Sequence, residues 1–332
     1  MNLGAAITCG AAMMWTGAAL AGPAEDLAGF LDSLGPDVGY AQVVAAEDGG
    51  VTIERLAVSP AMVLQAAGMP PAEDGQAEGA ALLVESLRLN EGAAAMLVGT
   101  NSGAEPGPIS VSAEGVRLDL AALAGSASVE QFRGYLGADA LAGGFALTIT
   151  EPGNGSFQVG FDLDLDALGV IGLRLEVDED GVQLPSGTLR LTDSPTRGIA
   201  GFGAWIRRGW LESALVMMEL YPIDDYDVRA QEAEEKLREA IAASASTGPE
   251  AAAALAAWAR EMAAALPEHA GTLQALAAFG EGPGRLDITI APPDRDAELM
   301  FNMFAGPDPI PTPEQVATTI ETMGLSAAFA AE

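Results

Sequence analysis

The chain has 332 residues, 47 of them acidic and 15 basic, for a formal net charge of −32. That balance repels phosphate backbones, and no basic tract offsets it, which argues against nucleic-acid binding. Apolar residues make up 49% and aromatics only 5%, too apolar for disorder and enough for one large domain or two ordinary ones, packed mainly through Ala, Leu, Val and Gly.

The first 22 residues carry no charged side chain, and the run AAITCGAAMMWTGAALA ends in Ala19-Leu20-Ala21. A small-residue A-x-A ending after an apolar stretch is a signal-peptidase pattern, so residues 1–21 are expected to be a signal peptide cleaved after Ala21, and the protein to be periplasmic or secreted. The segment departs from the pattern in lacking Lys or Arg before its apolar run. The sole cysteine, Cys9, lies inside it. The mature chain would then have no disulfide, thiol nucleophile or thiolate ligand.

Next, Asp26 to Gly35 places Leu27, Phe30, Leu31 and Leu34 on one side of a short helix. The period then changes to two. Residues 38–59 hold two strand-like runs joined by Glu47-Asp48-Gly49-Gly50, a hairpin signal. Further strands are expected at ALLVESLRL, AAAMLVG, PISVSAEGVRLDL, GFALTIT, SFQVGFDLDLD, VIGLRLEVD and GTLRLTD. Their joints are Asn90-Glu91-Gly92, Gly153-Asn154-Gly155, Asp178-Glu179-Asp180-Gly181 and Pro185-Ser186-Gly187. PAMVLQAAG and VEQFRGYLGADALAG read as short helical pieces between hairpins.

Asp162, Asp164 and Asp166 stand at every second position of FQVGFDLDLDALG, as the first ligands of a calcium loop do. Such a loop needs Gly at position 6 and Glu at position 12, where this chain has Ala167 and Leu173. Phe157, Val159, Phe161, Leu163 and Leu165 alternate with the acids. The stretch is therefore a strand with one apolar and one acidic face, not a metal site.

From Gly198 the period becomes helical. GIAGFGAWIRRGWLESALVMMELY sets Phe202, Ile206, Leu211, Leu215 and Met218 on one face, and Pro222 ends it. Asp224 or Asp225 would cap a second helix carrying Glu232–Lys236 and Glu234–Arg238 pairs. Thr247-Gly248-Pro249-Glu250 opens a third, with Leu255, Trp258, Met262 and Leu266 as its stripe, and HAGTLQALAAF follows Pro267. The tail holds a strand at Arg285–Ile290, a capping box at Thr312-Pro313-Glu314-Gln315, a stop at Gly324 and a last strand, LSAAFAA, that would rejoin the sheet.

Catalytic signals are scarce. With His269 the only histidine and Cys9 the only cysteine, zinc clusters are out of reach. No G-x-S-x-G elbow accompanies His269, and no G-x-x-x-x-G-K-[ST] loop precedes the lone Lys236. The many carboxylates single out no pair for glycoside chemistry. Arg190, Arg197, Arg207 and Arg208 gather near Trp205 and Trp210. One reading is a membrane-surface helix. The favoured one is a helix packed on the sheet, its tryptophans in the core and its arginines answering acidic strands.

Hairpins of the VTIERLAV, VRLDL and GTLRLTD kind, behind a signal-like start, resemble secreted Gram-negative envelope proteins related to the AsmA-type families. The resemblance covers residues 38–192 and 284–330 and rests on strand texture, with no diagnostic motif. It implies an elongated antiparallel sheet with an apolar concave face, associated with lipid handling or envelope homeostasis, and it assigns no functional residue.

The sequence thus predicts an α+β fold: a curved antiparallel β-sheet of hairpins partly covered by an inserted helical segment. The expected divisions are a β-rich region over 22–195, helices over 196–280 and a strand–helix–strand return over 281–332. The expected function is a non-catalytic envelope protein that binds a lipid or other apolar ligand between sheet and helices. Phe157, Val159, Phe161, Phe202, Trp205 and Trp210 would face the ligand, with no metal or cofactor. The alternatives are a structural or protein-interaction module with a self-filled core, partnered by another envelope protein, and a periplasmic hydrolase.

Overall fold

A computed structural model describes residues 22–67, 79–98, 107–123, 127–151, 155–178, 185–220, 228–293 and 311–331. The expected signal peptide, with Cys9 and Ala21, lies outside the described residues, as do Pro222, Asp224 and Asp225. The chain divides into two compact units, Met1–Arg133 with Ala138–Ala167, and Gly134–Gly137 with Leu168–Glu332. Both are antiparallel sheets dressed with helices, so the class is α+β as the periodicity predicts.

In the first unit, helix α1 (Pro23–Ser33) starts with Pro at its first turn and Glu25 and Asp26 at its positive end. Strands β1 (Val38–Gly39) and β2 (Gln42–Ala45) both pair with β3 (Val51–Val58). The β2–β3 turn is the expected Glu47–Gly50 hairpin: Gly49 takes φ 78°, and the Gly50 N–H donates to Asp48 Oδ1 at 3.2 Å. Helix α2 (Pro60–Ala66), capped by Ser59, follows. Then come β4 (Leu82–Leu89), helix α3 (Glu91–Leu97), β5 (Ile109–Asp119), helix α4 (Ala127–Leu136), β6 (Ala140–Thr150) and β7 (Ser156–Leu165). The ladder runs β3–β4–β5–β6–β7.

Two sequence expectations are corrected here. AAAMLVG is helix α3, not a strand, because Asn90 caps it through Oδ1, which accepts the Ala93 N–H at 3.0 Å. Three consecutive alanines then favour helix over strand. Asn90-Glu91-Gly92 is thus a helix start, where a hairpin turn was expected. The helical reading of residues 129–143 holds only to Leu136: Gly137 turns left-handed at φ 65°, and Ala140 to Gly143 open β6.

Register places apolar side chains in rows across this sheet, since directly paired antiparallel residues share a face. Val51, Leu89, Val111, Leu147 and Phe161 form one such row, and Ile53, Leu87, Ala113, Phe145 and Leu163 another. At the β3–β4 end, Leu27 and Leu31 of α1 and Ala93 and Ala94 of α3 close over Val51, Ile53 and Leu89.

A line of irregularities crosses the same sheet. Arg55 sits at φ 51° and Gly115 at φ 61°; pairing skips Arg55 and Glu85 between β3 and β4, then Glu85 and Gly115 between β4 and β5. The β5–β6 register shifts between Ala113 and Val116. The β5–β6 shift is a bulge, which raises the local twist and bends the strand that carries it.

In the second unit, β8 (Gly169–Asp178), β9 (Ser186–Asp193), β10 (Gly284–Ile290) and β11 (Leu325–Ala331) pair in that order. Between the paired strands β9 and β10 the chain makes α5 (Gly198–Leu220), α6 (Val228–Ala242), α7 (Gly248–Ala265) and α8 (Ala270–Glu281). The helices are thus an insertion within one sheet, as the sequence predicts. Helix α8 packs on β10 and β11, and α7 packs on α8. Helix α9 (Pro313–Met323) has the expected capping box, with Thr312 and Gln315 exchanging side-chain and backbone bonds, and Gly324 ends it in the left-handed region at φ 55°.

The stripe expected on α7 is met by Trp258, Met262 and Leu266, which join one core cluster, but the helix buries alanines as well. Its buried side is Ala251, Ala252, Ala256, Ala259 and Met262, while Leu255 and Trp258 are half-buried. Alanines let the axes approach, and Gly280 of α8 completes the fit: a Cβ built there would lie 2.6 Å from the Ala252 carbonyl oxygen. Met262 and Leu266 meet Leu273, Val316 and Ile320 in the core beneath.

Candidate functional site

Phe157, Val159 and Phe161 lie on β7 with side chains half-buried, on the face shared by Leu163 and Leu165. Asp162 and Asp164 are exposed on the other face. Asp166 ends the strand, accepting N–H bonds from Ala142 at 3.0 Å and Ala167 at 2.7 Å. The aspartate series is a strand face and its closing turn, and among the described residues no group of His, Cys, Asp and Glu is placed to hold a metal.

Three residues that were not singled out in the sequence join this face. Leu147 is opposite Phe161, Ile149 opposite Val159 and Phe145 opposite Leu163, all half-buried. On the far side Val111 and Ile109 continue the rows through β5. Within the first unit α1 and α3 pack over β2 to β5, and among its described helices none packs extensively on β6 or β7. Along one register row, burial among the described residues therefore runs from fully buried Val51 to half-buried Phe161. Only the hairpin register reveals it, since GFALTIT by itself shows a strand and no partner.

Phe202, Trp205 and Trp210 belong to α5 in the second unit. Phe202 and Trp205 stack at 6.0 Å between ring centroids with 20° between planes, both half-buried. Trp210 is 54% exposed, and Ile206 and Val216 are exposed too. The packed-helix reading of this segment is corrected on that point: Leu211 is the fully buried residue, while Ile206 and Trp210 face outward.

The arginines divide by role. Arg190 answers Asp287 on the neighbouring strand at 2.8 Å, as expected, and Arg208 pairs with Glu212 at 2.8 Å. Arg207 is exposed. Arg197 is nearly buried and holds a polar cluster together. Its Nη1 donates to the Gly282 carbonyl at 2.9 Å, its Nη2 to the Phe279 carbonyl, and its guanidinium lies 5.5 Å from the centre of the Phe279 ring. These carbonyls close the C-terminal end of α8, where a cation is favourable.

Asp193, with no exposed side-chain surface, sits 3.4 Å from Arg197 Nε. Its Oδ1 accepts the Ile199 N–H at 2.8 Å, and Ser194 Oγ accepts the Gly198 N–H at 2.9 Å, so both cap α5. Burial pushes the Asp193 carboxyl above its ordinary range, against the Ile199 N–H bond and the Arg197 charge, which pull it down. A cleft of about 380 Å³ opens beside this cluster, lined in part by Arg197, Pro249, Ala252, Ala256, Arg260 and Glu281. Arg260 and Glu281 pair across it. His269 lies 3.3 Å from the exposed Glu321 carboxylate. The Asp193–Arg197 cluster welds β9, α5 and α8.

Comparison with protein-family models, with curated proteins and with solved structures found no match. Among the described residues no helix is long and apolar enough to cross a membrane.

Proposed function

We propose that the protein is an exported, non-catalytic envelope protein that binds an acyl chain or a similar apolar ligand along the open part of the first unit's apolar face. The observation that carries this reading is the register row Val51–Leu89–Val111–Leu147–Phe161, which continues past the helices that cover its first members. Apolar side chains left half-exposed on adjacent strands gain from burying an apolar ligand, at roughly 25 cal/mol per Å² removed from water. The resemblance to AsmA-type envelope proteins supports the same reading, as does the signal-like N-terminus.

The test is native mass spectrometry of protein purified without detergent from its own cells, with lipid extraction and sequencing of the mature N-terminus. The expected result is a chain beginning at Gly22 with stoichiometric lipid, lost in the Leu147→Glu and Val159→Glu variants. Ligand-free protein in repeated preparations would favour a self-filled interaction module. An intact Met1 would remove the export argument.

A further inference from the structure

Strand β11 ends its sheet: among the described residues it pairs with β10 through Leu325 to Ala331 and with nothing on its other side. Soluble proteins blunt such edges with charge, proline, bulges, short strands or covering elements, because the free N–H and C=O groups template another strand. The first unit does this at its β3 edge. There β1 and β2 are two short pieces separated by Tyr40 and Ala41, and α1 packs on them.

Among the described residues, strand β11 has none of these devices at its free edge. It is 7 residues long, its pairing with β10 has no register shift, and LSAAFAA contains neither a charge nor a proline, in a chain with 62 charged side chains (47 acidic plus 15 basic).

We infer that β11 is a self-association edge, where a second copy of this chain adds its own β11 antiparallel about a two-fold axis near Ala328. An antiparallel two-fold pair is self-complementary by construction. It places Ser326 opposite Ala330 of the second copy and Ala327 opposite its Phe329. Leu325 and Phe329 each face an alanine, the other facing pairs are small, and no charged side chains meet. Elsewhere a net charge of −32 on each copy opposes approach, so the uncharged edge is where two copies can close. Seven paired residues bury less than the ~800 Å² per partner of a standard interface, so the dimer is weak and forms in the range of about 10–100 μM or above.

The experiment is sedimentation equilibrium of the full chain from about 5 μM to 1 mM, at low salt and at about 0.5 M NaCl. The expected result is a mass rising from one chain towards two with concentration, and more steeply in salt. Amides of residues 325–331 should gain protection from hydrogen exchange over the same range. S326K/A330K introduces lysines at two exposed positions that would face each other across the pair. It should remain monomeric at every concentration with an unchanged circular-dichroism spectrum, although it lowers the net charge. The uncharged S326A/A330S should dimerise like the parent. A parent that stays monomeric throughout, a dimer that persists in S326K/A330K, or assembly beyond two chains would each overturn the inference.

Discussion

Asp193 and Arg197, four residues apart, hold a 3.4 Å ion pair from opposite ends of one tight turn, with only 12% of the arginine side chain and none of the aspartate exposed. The turn needs Arg197 in the left-handed region at φ 64°, which a non-glycine residue adopts at a cost. Three elements depend on that conformation, because Asp193 ends β9 and caps α5 while Arg197 reaches the last carbonyls of α8.

Removing one partner of a buried pair leaves the other uncompensated. Arg197→Ala should therefore destabilise the second unit by about 3–5 kcal/mol, and Arg197→Lys, which keeps charge but loses the fork, by roughly half of that. Trp205, Trp210 and Trp258 all lie in that unit, so urea unfolding followed by tryptophan fluorescence reads it directly. Equal midpoints for parent and Arg197→Ala would show that the pair is dispensable.

The pH dependence has two opposing signs. Asp193 binds its proton more tightly folded than unfolded, because burial outweighs its favourable contacts. Its contribution to stability is therefore full below the unfolded value near 3.8 and declines as pH rises through the raised folded value. Asp287 is the reverse: Arg190, then Arg285, hold it below 3.8, and its contribution is lost as pH falls through that lowered value. Unfolding free energies of the parent and Asp193→Asn, measured between about pH 3 and 7, should thus show a parent-minus-variant difference that shrinks as pH rises. A difference that grows with pH would mean the carboxyl is depressed, not raised.

Two glycines of one helix should respond in opposite ways. At Gly280 a new Cβ meets the Ala252 carbonyl at 2.6 Å and the Ala256 nitrogen at 2.8 Å, both backbone atoms that yield only if α7 and α8 separate. Gly280→Ala should cost about 2–3 kcal/mol by overpacking. At Gly271 nothing lies within 4 Å, so Gly271→Ala should gain about 0.5–1 kcal/mol from helix propensity. Thermal midpoints moving in the same direction would contradict the close α7–α8 contact.

Asn90 does two jobs in the first unit, accepting from Ala93 at 3.0 Å and from the Ser110 N–H at 2.9 Å. Asn90→Ala should destabilise by about 1–2 kcal/mol, more than Thr312→Ala at about 1 kcal/mol, since the second cap serves α9 alone. Circular-dichroism melts of both variants, with amide exchange at Ser110, would separate the cap from the strand contact.

The α+β class, most strand positions, the helical insertion and the α9 capping box were legible because each rests on local periodicity or on residues within one turn. The apolar alternation Phe157–Leu165 is visible in the chain itself, and it sufficed to reject a calcium loop. Tertiary structure decided which strands stand beside β7, because Phe161 meets Leu147, and through it Val111 and Leu89, only by register. It also decided that α7 packs through alanines, since the depth of an Ala stripe depends on the Gly280 opposite it, and that Trp210 faces outward, since a helix with apolar residues on most sides has no preferred inner face until something packs on it. Composition and short-range pattern determine what each segment becomes; the Asp193–Arg197 pair and the half-covered sheet face exist only because distant segments meet, and no local signal encodes the distance across which they do so.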